Sequence, residues 1–198
     1  RNYNEGGYIC STRGIAVYAD KYMKIDVQKR ANYIKSSTGH SIYCNTTASL
    51  EIEGHIVDNE IPTLYVQQSS NVSYGAIMAS GNVMFKTLSA YLSGDKYALS
   101  GSGKNTIAFA SNMQSHSLKA TANSSDCDAI INVGGVYTGD VHDFVDNGVA
   151  YDANAKAVRK NGATCGTVNI GYVSDYGLII AGRVVQSHNR KNVFGDGT

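Results

Sequence analysis

The chain has 198 residues, enough to bury a sizeable core without a disulfide scaffold. Lys+Arg 17 against Asp+Glu 16 leaves a formal charge of +1, and with 17% charged residues there is no electrostatic handle for nucleic acid or an anionic membrane surface. A composition of 7 Leu and 1 Pro against 21 Gly, 17 Asn and 14 Tyr predicts an all-β fold.

Cys10, Cys44, Cys127 and Cys165 lie 34, 83 and 38 residues apart, which fits neither a metal or redox pair nor a dense disulfide framework. They read as free thiols. Cys44 stands where related segments carry Ala, Val or Gly, which predicts a small apolar core filler. No apolar run approaches the ~18 residues that span a bilayer, so membrane insertion is not expected. The chain opens in mid-pattern and reads as a piece of a longer protein.

From about residue 15 to about residue 110 a degenerate unit recurs five times: small, aliphatic, variable, small, then a polar turn, then two apolar residues one position apart. Ala16-Val17-Tyr18-Ala19 leads to Met23-Lys24-Ile25, and Ser41-Ile42-Tyr43-Cys44 leads to Leu50-Glu51-Ile52. Thr63-Leu64-Tyr65-Val66 leads to Val72-Ser73-Tyr74, Ala76-Ile77-Met78-Ala79 to Val83-Met84-Phe85, and Ala98-Leu99-Ser100-Gly101 to Ile107-Ala108-Phe109. Each copy alternates with period two on both sides of its turn, so each predicts two short strands with one apolar and one polar face. Val17, Ile42, Leu64, Ile77 and Leu99 are 25, 22, 13 and 22 residues apart, an irregular spacing around the length of one coil of a β-solenoid. Two such strands are marginal alone. They must stack on one another or on other chains, which predicts a long β body with exposed edges only at its ends.

Segments such as Gly14-Ile15-Ala16-Val17-Tyr18-Ala19-Asp20-Lys21-Tyr22-Met23-Lys24-Ile25 and Lys96-Tyr97-Ala98-Leu99-Ser100-Gly101-Ser102-Gly103 resemble the repeats of bacteriophage tail fibres and tailspikes. The resemblance covers about half of the chain and is one of residue classes. It implies a homotrimer with a triple-stranded or solenoid β-helical shaft, located in the virion and binding a host cell-surface glycan or protein receptor at its distal end. No catalytic motif of that family is matched.

Beyond Phe109 the pattern loosens through a polar stretch, and a junction near residue 118 divides a repeat-built shaft, 1–118, from a compact β-rich C-terminal head, 119–198. Strands are predicted at 129–133, 167–173 and 177–185, with turns of positive φ at Gly134-Gly135, Asn147-Gly148 and Asn161-Gly162. Asp152 is placed to cap at most one short helix over 153–160, ended by Gly162.

Several constellations bear on chemistry. Gly101-Ser102-Gly103-Lys104-Asn105-Thr106 sounds like a phosphate loop, but Asn105 stands where a magnesium-binding hydroxyl is needed and a strand follows. It reads as the turn of a repeat. Glu51 and Glu53 share one strand face, as paired carboxylates of a glycosidase would, yet Leu50 and Ile52 take the buried face and leave the glutamates to solvent. Asp140, His142, Asp143 and Asp146 form the densest group of potential metal ligands, without the spacing of an established loop. Scattered histidines offer no nucleophilic triad, and no cofactor is expected. Tyrosine is the enriched type with a functional use, since a sugar ring stacks on an aromatic face. Tyr137, Tyr151, Tyr172 and Tyr176 of the head are the candidate ligand contacts. The expectation is therefore a non-enzymatic structural and receptor-binding piece. A polysaccharide-cleaving β-helix enzyme and a bacterial surface adhesin, extracellular or at the cell surface, are the alternatives.

Overall fold

Short segments that alternate apolar and polar residues bury one face only when the chain is extended. In the computed structural model, residues 5–28, 31–69, 74–94, 98–115, 117–120, 127–139, 144–146, 149–151, 158–160, 165–175, 178–186 and 195–196 are described. Among them the fold is all-β, without a helix.

Three strands come first: β1 (Glu5–Ser11), β2 (Val17–Ala19) and β3 (Tyr22–Val27). The same long, short, long order returns as β4 (Ala31–Ser36), β5 (Ile42–Cys44) and β6 (Ser49–Gly54). It returns again as β7 (Thr63–Gln68), β8 (Ile77–Ala79) and β9 (Asn82–Lys86), then as β10 (Ser89–Ser93), β11 (Leu99–Gly101) and β12 (Thr106–Phe109). Each strand pairs in parallel with the strand three places on, so β1-β4-β7-β10 and β3-β6-β9-β12 lie in a 12-stranded sheet and β2-β5-β8-β11 in an 8-stranded one. Parallel pairing demands a long crossover, and here the crossover is two further strands on the other faces. The parallel sheets close into a near-complete, barrel-like body.

The register explains the sequence unit and corrects its phase. Val17, Ile42, Ile77 and Leu99 stack in one row that continues to Leu118 and Ile179. Ile25, Ile52, Phe85 and Phe109 stack in a row of the other sheet. Leu64 belongs to neither row: β7 pairs with β4 and β10, so Thr63-Leu64-Tyr65-Val66 is the first strand of its circuit, whereas Val17, Ile42, Ile77 and Leu99 lie on the second. All three strand types share the same alternation, and a period of two cannot separate them. In the other four copies the polar turn leads around a corner into a different sheet, while Val72-Ser73, which the unit places after the Leu64 strand, lie outside the described residues. The small residue ahead of that corner forms its own row, Ala19, Cys44, Ala79, Gly101, Ala120 and Ala181. Cys44 is fully buried there as a free thiol, as its place in the unit predicts, and burial pushes its pKa up.

The apolar rows meet inside the body. Ile42, Leu50, Ile52, Val66, Ile77, Leu99 and Ile107 are fully buried within one chain, and Phe85 stacks on Phe109 with ring centroids 4.6 Å apart. The corner from β6 to β7 carries a two-residue hairpin: Val57 and Glu60 pair, and Asp58 and Asn59 both take positive φ (52° and 61°). Ile56, Val57 and Ile61 are exposed on it.

After Phe109 the chain continues as β13 (Met113–Ser115), β14 (Ser117–Ala120), β15 (Ile130–Gly139), β16 (Phe144–Asp146), β17 (Val149–Tyr151) and β18 (Val158–Lys160). It ends with β19 (Thr167–Asp175), β20 (Leu178–Ala181), β21 (Arg183–Gln186) and β22 (Gly195–Asp196). Leu118 lies inside β14, paired with β11 and β20. The three strands predicted beyond it are present, the last divided at Gly182 into β20 and β21 on different sheets.

Two local expectations fail. Gly134-Gly135 is not a positive-φ turn but lies within β15, which pairs with β12 through Ile130 to Val133 and with β13 through Tyr137 to Gly139. Glycine is needed there for closeness: a Cβ on Gly135 would come within 2.5 Å of the Ser111 carbonyl carbon. The helix over 153–160 is also absent where it is described, because Val158–Lys160 is β18, paired with β20 and β22. A single capping Asp is a weak local signal, and sheet pairing overrides it. Residues 152–157, Asn147-Gly148 and Asn161-Gly162 lie outside the described residues.

Candidate functional site

Outward-facing residues of stacked strands form rows about one strand spacing (~4.8 Å) apart, so a tyrosine repeated at one register position becomes a ladder. Tyr8, Tyr33, Tyr65 and Tyr91 do this on the face of β1, β4, β7 and β10, with successive ring centroids 4.7, 4.9 and 5.1 Å apart and the rings stacked. A second pair, Tyr18 and Tyr43, stacks at 5.6 Å on the face of β2 and β5. Sequence reasoning missed these ladders. The available signal was that Tyr33, Tyr65 and Tyr91 each stand one residue before a core aliphatic, Ile34, Val66 and Leu92.

Rings inside the ladder cover one another's faces. The next outward residues along the row after Tyr91 are Gln114 and Thr138, and there the surface opens into a groove of about 250 Å3 lined also by Ser89, Asn112 and Val136. An aromatic surface thus borders a set of amide and hydroxyl groups, the pairing that a sugar needs: apolar ring faces for stacking and hydrogen bonds for its hydroxyls.

Among the tyrosines singled out in the sequence, Tyr172 is exposed (53%) and lines a second groove of about 450 Å3 with Asn132, Asn169, Gly134 and Val185. Asn169 donates its amide to Asn132 Oδ1 at 2.8 Å, fixing the floor of that groove. Tyr137 is fully buried and donates its hydroxyl to the Ser115 carbonyl at 2.8 Å, a core role. The backbone of Tyr151 lies opposite Phe144 in the antiparallel pair β16 and β17. Tyr176 lies outside the described residues, as do Asp140, His142 and Asp143, and of that acidic group only the backbone of Asp146, in β16, is described. No cluster of three His, Cys, Asp or Glu suited to a metal occurs among the described residues.

The phosphate-loop look-alike is a corner between β11 and β12: Gly103 takes positive φ, and Asn105 donates its amide to the carbonyls of Ala79 and Gly81. Glu51 and Glu53 lie on the solvent side of β6, with Leu50 and Ile52 buried on its other face. Both are engaged across circuits, Glu51 with Lys86 at 2.9 Å and Glu53 with Lys24 at 2.7 Å, while Asp26 accepts from His55 at 3.2 Å. The hydrogen bond from Lys24 holds the Glu53 carboxyl below its usual range, and the bond from His55 does the same for Asp26. A general acid needs the opposite shift.

The lowered carboxyl pKa values set a pH dependence. Their contribution to stability is complete above the unfolded carboxylate pKa, about 4, and disappears as pH falls through the lower folded values. The groups are exposed, so the effect is small. Lys24→Ala is expected to return the Glu53 pKa upward in an NMR titration and to flatten the acid side of the stability profile. An unmoved Glu53 titration would show that the pair does not persist in solution.

Comparison with known proteins finds no matching family model, no matching curated protein and no matching solved structure.

Proposed function

We propose that the chain is a non-enzymatic structural and receptor-binding piece of a phage tail fibre or tailspike, its strands wound as a β-helical shaft and its outer surface contacting a host cell-surface glycan or protein. The observation that carries this reading is the tyrosine ladder running along stacked parallel strands into a polar groove. Parallel copies, three in the homotrimer that the resemblance implies, would multiply weak contacts by avidity. A host-facing location in the virion follows from the same reading. The salt-bridged Glu51 and Glu53 speak against the polysaccharide-cleaving alternative. A bacterial surface adhesin is the second reading, favoured by a core that one chain's own strands keep dry.

The test is binding of the purified chain to immobilised bacterial lipopolysaccharide O-chains and capsular polysaccharides. Binding to at least one is expected, with Tyr91→Ala and Tyr172→Ala each weakening it up to about tenfold, the value of one aromatic contact. Binding that neither substitution alters would remove the grooves from the proposal. Absence of binding to any of the polysaccharides would remove the glycan reading.

A further inference from the structure

The groove at the end of the tyrosine ladder lies in the middle of the sheet, where β13 pairs with β10 through Met113 and Ala90 and with β15 through Met113 and Tyr137. Its lining side chains, Ser89, Tyr91, Asn112, Gln114, Val136 and Thr138, carry no formal charge. Residues two apart on an extended chain share a face, so Asn112 and Gln114 flank the inward Met113 about 6.5 Å apart along the backbone. Tyr65 covers one face of the Tyr91 ring, and Tyr91 and Val136 are both partly open to solvent. At about 250 Å3 the groove is smaller than the roughly 300–1,000 Å3 of drug-sized sites and has room for a single sugar ring.

Asn112 is the fixed group of this set. Its Oδ1 accepts from the backbone N–H of Val136 at 3.0 Å. A backbone N–H can only donate, so the bond decides which way the amide is turned and leaves both hydrogens of Nδ2 unused. Gly135 makes the arrangement possible, since a Cβ there would come within 2.6 Å of Asn112 Oδ1. Asn112 is thus held as a donor directly beside the apolar side chain of Val136. Among the described residues the Gln114 amide and the Ser89 hydroxyl have no hydrogen-bond partner, and each offers a donor and an acceptor.

A ligand that satisfies these groups is uncharged and carries an acceptor next to a methyl, on a ring with further hydroxyls. An acetamido group holds its carbonyl oxygen and its methyl on one carbon. We infer that the groove is a subsite for one N-acetylated amino sugar: the acetyl carbonyl accepts from Asn112 Nδ2, the methyl rests on Val136, the ring lies against Tyr91, and Gln114 and Ser89 take the hydroxyls. A plain hydroxyl at the same carbon leaves Val136 uncovered, and a free amine brings a charge that no side chain of the groove offsets. The inference rests on the receptor-binding reading and names the kind of sugar that this groove takes.

NMR titration of the 198-residue chain with N-acetylglucosamine and N-acetylgalactosamine, against glucose and galactose, tests it, because each pair differs only at carbon 2. At least one acetylated sugar is expected to bind about tenfold tighter than its parent, with its acetyl methyl the most strongly saturated group in saturation-transfer spectra. Asn112→Asp keeps an oxygen for the Val136 N–H but removes the donor, so it is expected to erase the preference while the melting temperature stays unchanged. Tyr91→Ala is expected to weaken acetylated and parent sugars alike. Equal affinities within both pairs would overturn the inference, as would a preference that survives Asn112→Asp. If the chain binds the polysaccharides above but shows no such preference, the subsite falls and the receptor reading stands; if it binds neither polysaccharides nor free sugars, both fall.

Discussion

Replacing Phe85 with alanine is expected to lower the unfolding free energy by about 3–5 kcal/mol, the range for truncating a fully buried aromatic ring. Phe85 has no exposed surface, and it lies between Ile52 and Phe109 in a core row, stacked on Phe109 at 4.6 Å. Removing the ring leaves a void that strands held on both sides by parallel pairing cannot collapse to fill. Guanidinium unfolding gives the comparison directly. Because circuits contact only their neighbours, hydrogen exchange is expected to report the loss in β6, β9 and β12 before more distant strands. A change below about 1 kcal/mol would place Phe85 outside a packed interior.

Gly81→Ala is expected to cost about 2–3 kcal/mol through overpacking. Gly81 sits at the corner from β8 to β9, where an added Cβ would come within 2.2 Å of the Asn45 carbonyl oxygen and 2.5 Å of that of Ala48. The Ala48 carbonyl already accepts from Asn82 at 2.9 Å, so it cannot withdraw without loosening the bond that joins two circuits. Gly7→Ala is the control, since a Cβ there meets nothing within 4 Å. Equal melting of the two variants would contradict the close approach at this corner.

The sequence made the strands legible because alternation alone distinguishes core from solvent in a short extended segment. It also showed the small residue at the corner row, Cys44 and Ala79 among them, since close backbone approach restricts size locally. Phase was not legible. Leu64 looks like Ile77 to any reading of period two, and only pairing partners separate them. The ladder was hidden for the same reason: Tyr33, Tyr65 and Tyr91 become neighbours once the circuits, of unequal length, are aligned. The head tyrosines show a subtler limit. Tyr137 keeps the parity of Ile131 and Val133 and is buried with them, which an uninterrupted strand through Gly134-Gly135 would have foretold. Tyr172 shares parity with the buried Val168 and Ile170 yet is exposed. β15 uses three positions from Val133 to Val136 where β19 uses two from Ile170 to Tyr172, and this irregularity carries the ring outward beside Val136.

The small hairpin between β6 and β7 marks where this architecture can change at little expense. Its ends are fixed by β6 and β7, whose pairing does not involve the hairpin, and doubling the length of a flexible loop adds only about 0.6 kcal/mol of closure entropy. A lineage could graft longer decorations onto Asp58-Asn59 while the interior stays untouched. Variation in what such a surface meets would then accumulate at the bends, with the walls conserved as scaffold.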